Sequence, residues 1–97
     1  MTRHFLIRYD QEGEPALREA KRGEHIAYRK SLGAAISLAG PILDDTDKPI
    51  GSVIILAADD RADAERIANG DPFVREGLLV ISSIEPIRIA AMHPPPS

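Results

Sequence analysis

The sequence predicts an α+β fold: one antiparallel sheet with two helices on one face, in the order β-α-β-β-α-β. Three observations predict it. Short apolar runs with strand composition are bounded by glycine, proline and aspartate. Two amphipathic stretches, Pro15 to Leu32 and "RADAERIAN" from Arg61 to Asn69, separate the first strand from the second and the third from the last. Between the two middle strands lies "DDTDKP", hairpin-turn chemistry that joins neighbouring antiparallel strands directly.

Each element has its own local reason. In "RHFLIRYD" alternation sets Phe5, Ile7 and Tyr9 on one side and His4, Leu6 and Arg8 on the other. "QEGE" ends this pattern, and Glu14-Pro15 reads as a helix entry with proline in the first turn. Leu17, Ala20, Ala27 and Tyr28 mark the stripe expected to face the core, and Gly33 is the expected stop. Gly23 costs about 1 kcal/mol relative to alanine inside a helix, which predicts a bend or a split there. "AAISLAGPILDD" is the second strand. Its Gly40-Pro41 step predicts a bulge or a sheet edge, because proline cannot donate to a ladder.

"IGSVIILAA" is the third strand. Asp59 or Asp60 suits the cap of the second helix, whose buried face is Ala64, Ile67 and Ala68, and Gly70 is expected as its left-handed end. "LLVISSIEPIRIAAM" supplies the last strand, interrupted by Pro86 at a bulge or edge. The simplest assembly of these parts is the ferredoxin-like plan. "VIILA" is apolar toward both faces of its strand, whereas two short helices cover only one. The other face therefore predicts a homodimer packed sheet to sheet, a dimeric α+β barrel burying about 800 Å² per subunit.

Composition bounds the function. The 97 residues predict one domain over residues 1–90 and a proline-rich tail over 91–97 ending in "HPPPS". There is no cysteine, hence no disulfide and no thiolate nucleophile. A net charge of −3 with interspersed signs, two Tyr, two Phe and no Trp argue against nucleic-acid binding. The chain has no long apolar run, so neither a signal peptide nor a membrane span is expected, and the cytoplasm is. The aspartates at 44, 45, 47, 59 and 60 lack calcium-loop spacing and have no histidine nearby, so turn and cap duties explain them and no metal is expected. No glycine-rich phosphate loop and no serine nucleophile elbow occur.

The remaining chemistry lies with histidine and one aspartate. His93 falls in the tail, and His4 reads as a strand residue near the open sheet face. His25 is different: helical spacing sets it among Lys21, Arg22, Tyr28 and Arg29, a cluster that is either a solvated face or a holder of anions with a proton shuttle. Asp71, in "NGDPFVREG", suits the N-cap of a short turn with Pro72 at its first position. A role at a functional site is compatible with that duty.

Four segments in family order, "KRGEHIAYRKSLG", "LAGPILDD", "KPIGSVIILAADDRADAERIANGDPFVREGL" and a strand holding "IEPI", resemble the YCII-related domain family. The family's Arg-x-x-His falls on Arg22 and His25, its AGP step on Ala39-Gly40-Pro41, and its DP-aromatic segment with a later glycine on Asp71-Pro72-Phe73 and Gly77. Gly23 departs from the pattern, since many relatives carry proline or another residue there. The resemblance implies a ferredoxin-like dimer and an active site built on His25 and Asp71 in a pocket beside the sheet. It also implies a setting in which one related group eliminates chloride from chlorinated hydroquinones and muconolactone isomerase is a more distant structural relative.

The expected function is that of a small cofactor-independent enzyme working by acid–base chemistry (isomerisation, elimination or hydrolysis) on a small anionic or aromatic metabolite. A carboxylate accepting from one imidazole nitrogen fixes the tautomer and favours the protonated ring, leaving the other nitrogen to move a proton. Arg22, then Arg29, are candidates to meet a developing anion. Gly40 lets a substrate approach the backbone, with Pro41 and Phe73 beside it. The alternative is a non-catalytic module that binds a metabolite or serves in an assembly.

Overall fold

The computed structural model describes residues 2–96, so Met1 of the expected domain and Ser97 of the expected tail lie outside it. Strands β1 (Arg3–Gln11), β2 (Ile36–Leu43), β3 (Pro49–Ala58) and β4 (Leu79–Ile87) form one antiparallel sheet in the order β2-β3-β1-β4. Helices α1 (Pro15–Ser31) and α2 (Arg61–Asn69) make the two crossovers, and the short α3 (Pro72–Arg75) precedes β4. This is the ferredoxin-like α+β plan, the subunit architecture of dimeric α+β barrels.

Alternation in β1 places Phe5, Ile7 and Tyr9 in the core, where register sets Phe5 opposite Leu56 and Ile7 opposite Ile54. Ala64 and Ala68 of α2 are buried against them, and Phe73 and Leu78 close the same layer. Asp60 caps α2 by accepting from the Asp63 amide at 2.8 Å. In the β2–β3 hairpin Asp44 accepts from the amides of Thr46 and Lys48. Pro41 and Pro86 sit on the two edge strands, where a missing donor breaks no central ladder, and Pro49 is the first residue of the central strand β3.

Three expectations need correction. α1 is continuous through Gly23, where an added Cβ would meet no atom within 4 Å; the glycine costs propensity but meets no obstacle. Gly70 is not left-handed: its φ of −76° is helical, and glycine is needed because a Cβ would strike the Tyr28 hydroxyl. Of the stripe expected to face the core from α1, only Tyr28 does so. Leu17, Ala20 and Ala27 are exposed, and Tyr28 shares its half-buried face with Arg18, Lys21, His25 and Arg29. The reason is the helix's neighbour, since α1 packs chiefly on α3 and lies over a cleft beside the sheet.

Candidate active site

Asp71 is the N-cap of α3, with Pro72 in the first helical turn, and its Oδ1 accepts from the Phe73 amide at 2.9 Å. The same oxygen lies 2.7 Å from His25 Nδ1, and Oδ2 accepts from Arg29 Nε at 3.0 Å. One aspartate therefore caps a helix and ties down two side chains of α1, four residues apart on one helical face. Its carboxylate is 1% exposed. Burial pushes its pKa up, but the hydrogen bonds from His25 and the Phe73 amide, with the charges of His25 and Arg29, outweigh that and hold it below the usual carboxylate range.

The imidazole of His25 is fixed on a second side by Phe73, whose ring lies parallel to it with centroids 4.1 Å apart. With Nδ1 on Asp71, Nε2 has no protein partner among the described residues, and the side chain is 17% exposed. Arg29 spreads its guanidinium over the Tyr9 ring, 5.1 Å from the centroid, and its Nη2 is buried without a hydrogen-bond acceptor among the described residues. Tyr9 lies beneath it in the core, where burial pushes the phenol up to about 12, partly offset by Arg29. Tyr28 secures the next turn of α1 by donating to the Ile67 carbonyl at 2.7 Å.

Above this cluster opens a cleft of about 640 Å³, within the size range of small-molecule sites. Arg18, Arg22, His25 and Arg29 of α1 form one wall, and Ala39, Gly40, Pro41 and Ser52 of β2 and β3 form the facing one. Of the residues singled out from sequence, Arg22, His25, Arg29, Gly40, Pro41 and Phe73 all line this cleft. Asp71 does not: it stands behind His25 and acts on the cleft through that ring. Phe73 is 6% exposed, with one ring face taken by His25. Gly40 pairs with Val53, so a side chain there would leave on the open sheet face and the cleft meets its backbone.

Sequence reasoning missed Arg18. Its Nη2 donates to the carbonyls of Glu12 at 2.6 Å and Leu78 at 2.9 Å, pinning the turn after β1 to the turn before β4. The signal available was its place on the helical face of Arg22, His25 and Arg29, at steps of four, three and four residues. Among the described residues no cluster of three metal-ligating side chains forms, and no helix is long and apolar enough to cross a membrane.

Fold and cluster together define a ferredoxin-like α+β protein with a buried carboxylate–imidazole pair opening on a small-molecule-sized cleft. The profile of the YCII-related domain matches residues 2–88, and the chain belongs to that family. Among solved structures it is similar to the 5-chloro-2-hydroxyhydroquinone dehydrochlorinase of Burkholderia phenoliruptrix AC1100, determined in complex with 2,5-dihydroxybenzoquinone. The two share 29% identity and a TM-score of 0.66, over 91% of this chain and 92% of the other. No curated protein sequence matches.

Proposed function

We propose that this protein is a cofactor-independent acid–base enzyme acting on a small anionic or aromatic metabolite, with His25 as the proton-transferring group. One observation carries the reading: His25 Nδ1 is held 2.7 Å from a buried carboxylate while the imidazole lines the cleft and its Nε2 has no hydrogen-bond partner among the described residues. Asp71 is the positioning residue. It fixes the tautomer that leaves Nε2 as the acceptor, and it balances the charge formed when that nitrogen takes a proton.

In the proposed step Nε2 removes a proton from a C–H or O–H next to an enolisable centre, and the electron pair moves into the substrate. Isomerisation ends when the imidazolium returns the proton at another carbon. Elimination ends when an anionic leaving group departs with the pair. The negative charge that develops faces the arginines of α1. The relative that acts on a chlorinated hydroquinone supports aromatic substrates of this kind.

The test is incubation with a panel of chlorinated hydroquinones and enol lactones in deuterated water, reading chloride release and deuterium uptake. Turnover by the wild type should fall roughly 10²- to 10⁴-fold in His25→Gln. Equal rates with and without His25 on every compound that reacts, or no reaction with any, would leave a binding module as the better description.

We further propose a cytoplasmic homodimer joined through the sheet face opposite the helices, where Leu6, Val53 and Ile55 are half-buried and Leu38 is 52% exposed. Light scattering should give twice the chain mass, and Ile55→Lys should halve it. A monomeric wild type would remove this part of the proposal.

A further inference from the structure

Charge along α1 is unevenly spent. Arg29 is neutralised by Asp71, and Arg18 uses one terminal nitrogen on two backbone carbonyls. Arg22 is different. Its partner is Glu19, 3.7 Å away across one helical turn, in a pair whose side chains are 64% and 79% exposed. Both members line the rim of the cleft. An exposed pair of this kind is worth about 0.2–1 kcal/mol, so a better acceptor displaces it easily.

With His25 neutral, the three arginines against Glu19 and Asp71 leave the cleft one positive charge in a chain of net charge −3. The facing wall offers Ala39, Pro41 and Pro49, with no acid among its residues. A ligand that fits both walls has an apolar body for the prolines and an anionic end for the helix. Arg22 lies about 4.5 Å along the axis from His25, so that end is held apart from the atom at which Nε2 works. A carboxylate matches the planar fork of a guanidinium, with two parallel hydrogen bonds.

We propose that the cleft takes carboxylate-bearing substrates with an apolar body, anchored at Arg22 one helical turn from His25, and that Glu19 is a resident competitor which the substrate carboxylate displaces. This rests on the reading of the cleft as the substrate site, and it concerns which molecules enter rather than what His25 does to them.

The test is equilibrium binding, so it does not depend on turnover. Whole-chain protein is titrated with 3-phenylpropanoate and with its uncharged amide, 3-phenylpropanamide, followed by amide NMR shifts. The carboxylate should bind roughly ten- to hundredfold tighter than the amide, with shifts concentrated on α1 and β2. Arg22→Gln should abolish that preference while leaving the amide's affinity unchanged. Arg75→Gln, which removes the same charge from an exposed residue outside the cleft, should retain it. Glu19→Gln should tighten carboxylate binding about two- to fivefold.

Equal affinities for the two probes, an Arg22→Gln effect no larger than that of Arg75→Gln, weaker carboxylate binding in Glu19→Gln, or no binding of either probe would each overturn the anchor. Loss of turnover alone would not, since that outcome bears on His25.

Discussion

The His25 imidazole and the Phe73 ring lie 2° from parallel, so the face of the histidine is fixed by the residue whose own amide caps onto Asp71. The capping aspartate and the phenylalanine two positions on, at the start of α3, thus hold one imidazole in plane and in rotation. Phe73→Leu keeps an apolar filler but loses the stack. It should cost about 1–2 kcal/mol of stability. Turnover should fall about tenfold, while binding of 3-phenylpropanoate stays within roughly twofold. A variant with undiminished turnover would mean that the stack does not orient the base.

Asp71→Asn should be strongly destabilising. An amide cannot accept from both the His25 and Arg29 sides, and it leaves a mostly buried guanidinium without its anion. The expected loss is roughly 3 kcal/mol at neutral pH. The dependence on pH follows from the sign of the shift. The folded-state pKa of Asp71 is depressed, so its stabilisation is present above the ordinary carboxylate value and is lost as pH falls through the lower folded value. Denaturant titrations should find the gap between wild type and variant narrowing below about pH 4. A gap of constant size would contradict the ionised-carboxylate account.

Tyr9 gives the opposite limb. Its folded pKa is raised from 10.0 to about 12, so the neutral phenol is the form the fold prefers. That stabilisation is complete below the unfolded value and is lost as pH rises through the folded one. Wild type should lose about 3 kcal/mol across this alkaline window, and Tyr9→Phe should lose much less. Parallel stability curves for the two proteins would remove Tyr9 as the cause.

At Gly70 the smallest possible substitution should disturb the helix that carries the site. A methyl group there would strike the Tyr28 hydroxyl, which donates to Ile67. Gly70→Ala should cost about 1–3 kcal/mol, and adding Tyr28→Phe should recover part of it. If the two losses simply add, the clash is not the mechanism.

β1 was legible because it is half-buried and its side chains alternate: Phe5, Ile7 and Tyr9 face one layer in sequence and in space. Asp71 was legible as a cap because its signal is local, an aspartate before Pro72. The inner face of α1 was not. Periodicity finds the apolar side of a helix and assumes that it turns inward, which holds only where the helix covers core. Here it covers a cleft, so Leu17 and Ala27 point outward while arginines and histidine point in. Arg18 escaped notice because its partner, Leu78, is 60 residues away, and Gly70 was misread because Tyr28 is a long-range neighbour.

α1 is fastened to the rest of the molecule by the Asp71 bonds to His25 and Arg29, the Tyr28 bond to Ile67 and the Arg18 bonds to two carbonyls. The reacting group and the rivets of the helix are thus drawn from one set of side chains. Retooling this scaffold for another molecule by altering that set would loosen the helix at the same stroke, so new chemistry here has to arrive together with new carpentry.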